Sequence, residues 1–578
     1  MRILVHASAF NSLTQRITVE LAHQGHRTAV SLDLGGGPRG DAELREAIRR
    51  HRPELIVAPM LTSAVPEDVW SRHVCLIVHP GPPGDRGPSS LDWALSEGRR
   101  SWGVTVLQAV GEMDAGDIWA AEAFDIPEHA DGGGIAKSDL YRNELADAAS
   151  AAVLRAVERY ASGAYRPRPA PLGTVLPGTV RPYFRQERRR IDWRGEGTDA
   201  VARKLRTADS SPGLLDELGG REYYLHGGQP EDELRGEPGT LLATRDGAVC
   251  RATVDGAVWL TAARPRRTPG GPPTAKAPAA TVLAAAGLLR GVPEVGVRLR
   301  PHHKRQTWAT VRYAEHGSVG LLRFSYPGGA MSTGDCRRLL SAYRYACSRP
   351  TRVLVLGAHR DVFSHGIHLG AIEAAPDPAR ESWANINAMD DLVEAILTTD
   401  DKLTVAALGG NAAAGGLMLA LAADEVWVRA GAVLNPHYRL MGLHGSEYWT
   451  YTLPRRVGPE QALRLTTEAL PLGPERALEL GLVDRVLRCT PERVPDHVAE
   501  LAETLAADAR LPRRLAAKRG ALRRAQGRRP LAWYRAEELA LMHRNFYGPD
   551  DEYHQLRRAF LHKVRPGATP ERLRRIVA

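Results

Sequence analysis

The 578-residue sequence predicts a multidomain α/β protein with a small all-β segment in its middle and a helical end. Three observations predict it. The length exceeds what one hydrophobic core can fill and fits about three or four domains. Apolar strand-like runs alternate with helical stretches near the start and again from about Thr310. Between these blocks lie short strands separated by turn residues and flanked by proline- and glycine-rich sequence. The organisation read from these shifts is 1–175, 176–295, 300–510 and 511–578.

Taken in order, residues 2–7 form a strand, and Asn11-Ser-Leu-Thr14 offers an N-cap for a helix running to about His23. His26–Leu32, Leu55–Pro59 and Val74–Val78 are further strands, with a helix over Ala42–Arg50. This spacing predicts a parallel sheet covered on both faces. Ligands of such sheets sit at the carboxyl ends of the strands, which is where His79 falls. Arg166–Tyr183 reads as a proline-rich linker. A helix over Thr198–Thr207 leads into the strands Gly239–Thr244, Ala248–Val254 and Ala257–Ala262, which suggest a small barrel. Arg264–Pro278 reads as a loop. Val353–Gly357 and Leu403–Ala407 are buried strands, and the chain becomes helical and basic after about Leu511.

Composition narrows the class. Apolar residues make up 43% and charged residues 25%, ordinary for a water-soluble globular chain. The formal charge is +10, and only seven of the 77 basic residues are lysines. This arginine excess reflects either GC-rich coding or an affinity for polyanionic small ligands. The basic residues are dispersed without a nucleic-acid motif, so no nucleic-acid partner is expected. Five cysteines, none in a CxxC pair, argue against a disulfide framework and for a reducing cytoplasm. Met-Arg-Ile-Leu-Val-His6 reads as a strand rather than a signal peptide. The most apolar stretch, Val405–Ala423, is interrupted by glycine and asparagine and reads as a buried strand–turn–helix, so no membrane association is expected. His302-His303 points two ways, and no metal-ligand cluster is found.

Two sets of motifs carry chemistry. The first is His79-Pro80, then Asp85-Arg86-Gly87, then Met113-Asp-Ala-Gly-Asp117. It resembles the folate-dependent formyltransferases, with a Rossmann-like head and an OB-like barrel whose start is similar to Ile191-Asp-Trp193. The resemblance covers roughly 1–290 and implies 10-formyltetrahydrofolate as the formyl donor. His79 and Asp114 match the family's catalytic pair, and Arg86 and Gly87 its Arg-Gly; a His and an Asp at strand ends can move a proton and stabilise an oxyanion. The family carries an asparagine two residues before the histidine, where this chain has Ile77. Asn11, Ser12 and Gln15 at the mouth of the first strand are candidates for the missing polar contact to the cofactor; helix capping accounts equally for Asn11 and Ser12.

The second set is Phe363-Ser-His-Gly366, then Asn411-Ala-Ala-Ala-Gly-Gly416. It resembles the crotonases, ββα-spiral proteins that act on acyl-CoA thioesters. The resemblance implies coenzyme A as a ligand held near Gly366 and Gly416. It also implies an oxyanion site made by the backbone N–H groups of His365 and Gly415. Hydratases of that family have two glutamates, where this chain has Met418 and His437, so enoyl hydration is not expected. Nearby stand Tyr438 and Glu447, which can steer a proton at a small acyl group; Tyr448, Trp449 and Tyr451 read equally well as a packing face.

Both sets together are similar to the HypX/HoxX hydrogenase maturation factors. The similarity runs through Ala9–Gln15, Val78–Gly81, Gly84–Trp93, Phe363–Leu369, Glu381–Asn387 and Gly445–Tyr451. That family implies formyl transfer from 10-formyltetrahydrofolate to CoA, then decarbonylation of formyl-CoA to carbon monoxide for a [NiFe]-hydrogenase. It implies small-molecule substrates and hydrogenase maturation proteins as partners. Two other readings stay open at this point. One is a scaffold with reduced catalysis, suggested by Ile77, Met418 and His437. The other is a formyltransferase with a different acceptor.

Overall fold

The computed structural model describes residues 1–128, 134–169, 180–300 and 305–575. His302-His303 and most of the proline-rich stretch lie outside the described residues. The chain forms two compact units, Met1–Arg190 with Arg203–Leu214 and Val564–Ala578, and Ile191–Ala202 with Leu215–Lys563.

The first unit holds a six-stranded sheet. Its strands are β1 (Arg2–Ala7), β2 (Arg27–Leu32), β3 (Leu55–Ala58), β4 (Cys75–His79), β5 (Ser101–Gln108) and β6 (Ile118–Asp125). The order is β2-β1-β3-β4-β5-β6. The first four strands are parallel, as their spacing predicts, and each is almost wholly buried. β5 and β6 run antiparallel, which departs from the parallel sheet expected. The connection after β4, residues 80–100, carries the loop that follows His79 and a seven-residue helix, Ser90–Ser96. The chain then runs back along β4, with Thr105 opposite His79.

Residues near the end of the sequence complete this unit. The Leu32 N–H at the end of β2 donates to Thr569 Oγ1 at 2.9 Å, and Arg574 pairs with Glu43 at 3.0 Å. The short helix Glu571–Arg574 lies against β2, the edge strand of the sheet. An edge strand left open presents unpaired N–H and C=O groups, and this segment covers it.

The second unit opens with an antiparallel sheet of β7 (Leu214–Leu218), β8 (Arg221–Glu231), β9 (Leu241–Arg245), β10 (Ala248–Ala252) and β11 (Ala257–Pro265), in the order β7-β8-β11-β10-β9. Register shifts in β8, β10 and β11 bend it. Trp259, fully buried, donates its indole N–H to Glu231 at 2.9 Å.

A second sheet follows, built from Val311–His316, Val319–Phe324, Val353–His359, Leu403–Leu408, Glu425–Arg429 and Arg485–Leu487 in that spatial order. Only its first pair is antiparallel. Two short parallel pairs, Ala330–Met331 with Gly366–Ile367 and Ala412–Ala413 with Leu434–Asn435, shape the loops beyond it. Val405–Ala423 is the expected buried strand, turn and helix, and among the described residues no helix is long and apolar enough to cross a membrane. The basic end is helical, over Leu511–Arg528, Leu531–Tyr547 and Glu552–Leu561. It is not an appendage: Leu531, Met542, Phe546 and Tyr553 are buried in one core with Leu417 and Tyr438. Each such side chain contributes about 1.5–3 kcal/mol on leaving water.

Candidate functional site

In the first unit the site grows from the end of β4. His79, buried, is its last residue. Its Nε2 bonds Asp85 Oδ2 at 2.9 Å, and its Nδ1 lies 3.5 Å from Asp114 Oδ1. The imidazole is thus held between two carboxylates. With Nε2 donating to Asp85, Nδ1 is the nitrogen that can gain and lose a proton beside Asp114. Asp114 sits in the left-handed region at φ 54°, costly for a residue other than glycine. Its Oδ2 accepts the Gly87 N–H at 3.2 Å, which ties the two site loops together. The second oxygen of Asp85 lies 3.7 Å from Arg181 Nε. Gly81 makes room for the pair, since a Cβ there would come within 2.5 Å of both His79 Nε2 and Asp85 Oδ2.

The sequence reading brought His79 and Asp114 together but passed over Asp85. The signal for Asp85 is its place in Gly84-Asp-Arg-Gly87, beside the Arg-Gly pair. Those neighbours have other contacts. Arg86 pairs with Glu112 at 2.8 Å. Gly87, at φ 115°, lets the Arg181 backbone close in, for a Cβ would meet Arg181 O at 2.1 Å. Asn11 is a helix cap: its Oδ1 accepts the Thr14 N–H and its Nδ2 donates to Tyr141 OH, both at 3.0 Å. Gln15 donates to Phe10 O at 2.9 Å. Asn11 and Gln15 follow the carboxyl end of β1, two strands from β4 in the sheet.

In the second unit the two predicted loops touch. A Cβ on Gly366 would come 3.1 Å from the Gly415 nitrogen, and one on Gly416 would meet Ser364 O at 2.1 Å. Glycine is required for this approach. The His365 N–H, expected as an oxyanion donor, instead donates to Gly329 O at 2.7 Å. The parallel pairing of 366–367 with 330–331 consumes it. The Gly366 N–H donates to Ser364 Oγ at 3.1 Å. Gly415 opens the helix Gly415–Leu421.

Tyr438 and Glu447, both buried, form a pair, with the phenol donating to Glu447 Oε2 at 2.7 Å. The other carboxyl oxygen reaches Gly415, where a Cβ would lie 2.0 Å from Glu447 Oε1. The acid therefore stands at the mouth of the glycine loop. Gly445 makes room for the Tyr438 ring in the same way. Burial, reinforced by Asp390, pushes the Glu447 carboxyl up to about 8, near neutral pH. Burial and the Glu447 charge hold the Tyr438 phenol well above its ordinary value. Gly415→Ala is expected to push Glu447 out of place, at a cost of about 1–3 kcal/mol in stability measured by denaturant melts. An unchanged melt would show that the carboxyl can move aside freely. Met418 is buried in the core, and Tyr448, Trp449 and Tyr451 pack against it, as the packing-face reading had it.

Family models match three segments. "Formyl transferase" matches 11–156, "Formyl transferase, C-terminal domain" 184–269, and "Enoyl-CoA hydratase/isomerase" 317–566. The hydrogenase maturation factor HoxX of Bradyrhizobium diazoefficiens is 48% identical over 572 residues, covering 99% of this chain and 96% of that protein. The crystal structure of HypX from Aquifex aeolicus in complex with tetrahydrofolic acid superposes with a TM-score of 0.92 at 40% identity, over 99% of this chain and 98% of the other. The second unit is also similar to 4-chlorobenzoyl coenzyme A dehalogenase-2 of an Arthrobacter species, 30% identical over 193 residues, 33% of this chain and 69% of that enzyme.

Proposed function

The chain belongs to the HoxX family of hydrogenase maturation factors, and on that premise we propose that it makes carbon monoxide in two steps. In the first, a formyl group passes from 10-formyltetrahydrofolate to coenzyme A in the formyltransferase unit. In the second, formyl-CoA loses CO in the crotonase-like domain and coenzyme A is regenerated. The CO then serves as the iron ligand of a [NiFe]-hydrogenase, handed on in the cytoplasm to the maturation machinery. The folate in the Aquifex relative supports the donor, and the thioester chemistry of the crotonase relatives supports the acceptor.

The observation that carries this reading is the buried Tyr438–Glu447 pair set against Gly415. A hydratase needs two carboxylates to position water, and this site has Met418 and His437 in their places. Formyl-CoA has no α-carbon, so a glycine loop cannot make an enolate from it. What the pair can do is take the formyl proton. As Glu447 accepts that proton, the C–H electron pair stays on carbon. The C–S bond breaks with its electrons on sulfur, leaving CO, and the thiolate recovers a proton through Tyr438 and Glu447. The products are CO and CoA thiol, and no oxidant or reductant is needed.

In the first step the CoA sulfur attacks the formyl carbon, the C–N bond of the folate breaks, and the thiol proton ends on the folate nitrogen. His79 Nδ1 carries that proton, with Asp85 fixing the ring and Asp114 stabilising the imidazolium. Arg86, Gly87, Asn11 and Gln15 remain candidates for folate contacts, and Gly366 and Gly416 for CoA.

The test is direct. The purified protein is supplied with 10-formyltetrahydrofolate and CoA, CO is trapped by haemoglobin, and formyl-CoA is followed by mass spectrometry. CO that depends on both substrates is the expected result. Neither CO nor formyl-CoA would leave a scaffold role, and formyl-CoA without CO would retire the second step.

A further inference from the structure

Glu447 lies in a strained turn. Glu447 and Tyr448 both adopt left-handed backbone, at φ 59° and 57°. Consecutive L-residues are strained there, because each Cβ crowds the following carbonyl oxygen. Such strain persists only where surroundings over-determine it.

Two fully buried carboxylates from two helices do so. Asp390, on the helix Pro378–Thr398, accepts the Glu447 N–H and the Ser446 hydroxyl, each at 2.8 Å. Glu538, on the helix Leu531–Tyr547, accepts the Tyr448 N–H and the Thr450 N–H, each at 2.9 Å, and the Thr450 hydroxyl. Both oxygens of Glu538 are used as acceptors, whereas Asp390 Oδ1 takes the Glu447 N–H and the single Ser446 hydroxyl lies equally close to both Asp390 oxygens. A glutamine accepts on one oxygen only, so the bonding of residue 538 calls for a carboxylate. Glu538 also caps the start of the helix Trp449–Val457, where negative charge is favoured.

We propose that Asp390 and Glu538 are positioning residues for the decarbonylation, clamping the turn 446–450 from both sides so that the Glu447 carboxyl is held at Gly415. Their charges have a second effect. The groups facing Glu447 are Tyr438, Cys336, Asp390 and Glu538, with Arg535 4.0 Å from Asp390 and also paired to Asp391 and Glu394. Burial and the neighbouring acids push Asp390 up to about 7 and Glu538 up to about 8, and both neighbours raise Glu447. The three carboxyls titrate as a coupled set. A clamp of this kind keeps the base weakly acidic, able to take a proton and return it near neutral pH.

This inference rests on the role proposed for Glu447, and the experiment separates the two. CO release by the full-length protein is followed against pH, with formyl-CoA formation recorded alongside. For the wild type, CO release should rise with pH with its midpoint near 8 and level off above it, because the base must be deprotonated. Asp390→Asn removes a like charge, so the rising limb should move to lower pH by about one unit. Glu538→Gln should move it the same way by less and lower kcat about tenfold, with formyl-CoA formation intact in both variants. Ser446→Ala keeps both carboxyl groups but takes a donor from Asp390, so the limb should move less than in Asp390→Asn. Should either charge variant fold poorly, infrared titration of the protonated carboxyl band that disappears in Glu447→Gln gives the same comparison in the remaining one. A limb and a band that stay where they are in the wild type would overturn the clamp. CO release that survives Glu447→Gln would instead overturn the reading beneath it.

Discussion

Replacing Glu447 by glutamine will stop CO release while formyl-CoA accumulates. Glutamine keeps the size and can still accept from Tyr438 Oη, whose distance to Glu447 is 2.7 Å, but it cannot take a proton. General acid–base groups contribute about 10²–10⁴-fold, and CO release should fall by that factor. Formyl-CoA, measured by mass spectrometry, should rise because the first unit is untouched. Equal loss of both products would mean that Glu447 serves the transfer step. The same substitution should change stability in a pH-dependent way. Glu447 keeps its proton up to about 8 in the folded state and has an ordinary value of 4.5 when unfolded. Between those pH values the folded protein binds more protons than the unfolded chain, so its stability falls as pH rises. The glutamine variant lacks this term. Its melting temperature should gain on that of the wild type from about pH 4.5 to 8, and a constant difference across that range would argue against a buried titrating acid.

His79→Ala will remove both products. Without the imidazole nothing at the end of β4 relays the thiol proton, and formyl-CoA formation should fall about 10²–10⁴-fold. CO release falls with it for want of substrate, but synthetic formyl-CoA should restore CO. Failure of that rescue would place His79 in the second step as well. Asp85→Asn should give a milder loss. It keeps a contact to Nε2 while weakening control of the tautomer, and its pH profile should change more than its KM. An Asp85→Asn enzyme as slow as His79→Ala would mean that Asp85 does more than orient the ring.

Much of this arrangement was readable from residue order. β1 to β4 are short apolar runs with helices between, and His79 follows one of them directly. The glycine pairs at 366 and 415–416 announce close backbone approach, and the structure finds it. Other features depend on contacts remote in sequence. β5 shows no sign of its direction, which is fixed by its pairing with β4 and β6. β8 is hidden by Gly227, Gly228 and Pro230, which break the pattern of a strand but serve a bent one. The His365 amide pairs with Gly329, 36 residues earlier, a register that no local pattern encodes. Asp390 and Glu538 lie 57 and 91 residues from Glu447, on helices that read as ordinary amphipathic segments. Only packing reveals that their carboxylates meet one turn.

Thr569 and Arg574 have a bearing on how the protein is made. They finish a unit whose remaining residues all precede Leu215, so the ribosome delivers them after the whole of the second unit. Until then β2 faces solvent with an uncovered edge, in a nascent head that has its strands but not its border. An uncovered edge of this kind is a template for pairing with a second copy. Chains stopped after Lys563 would keep this exposure permanently and should be lost to aggregation or proteolysis even though His79, Asp85 and Asp114 have all been synthesised.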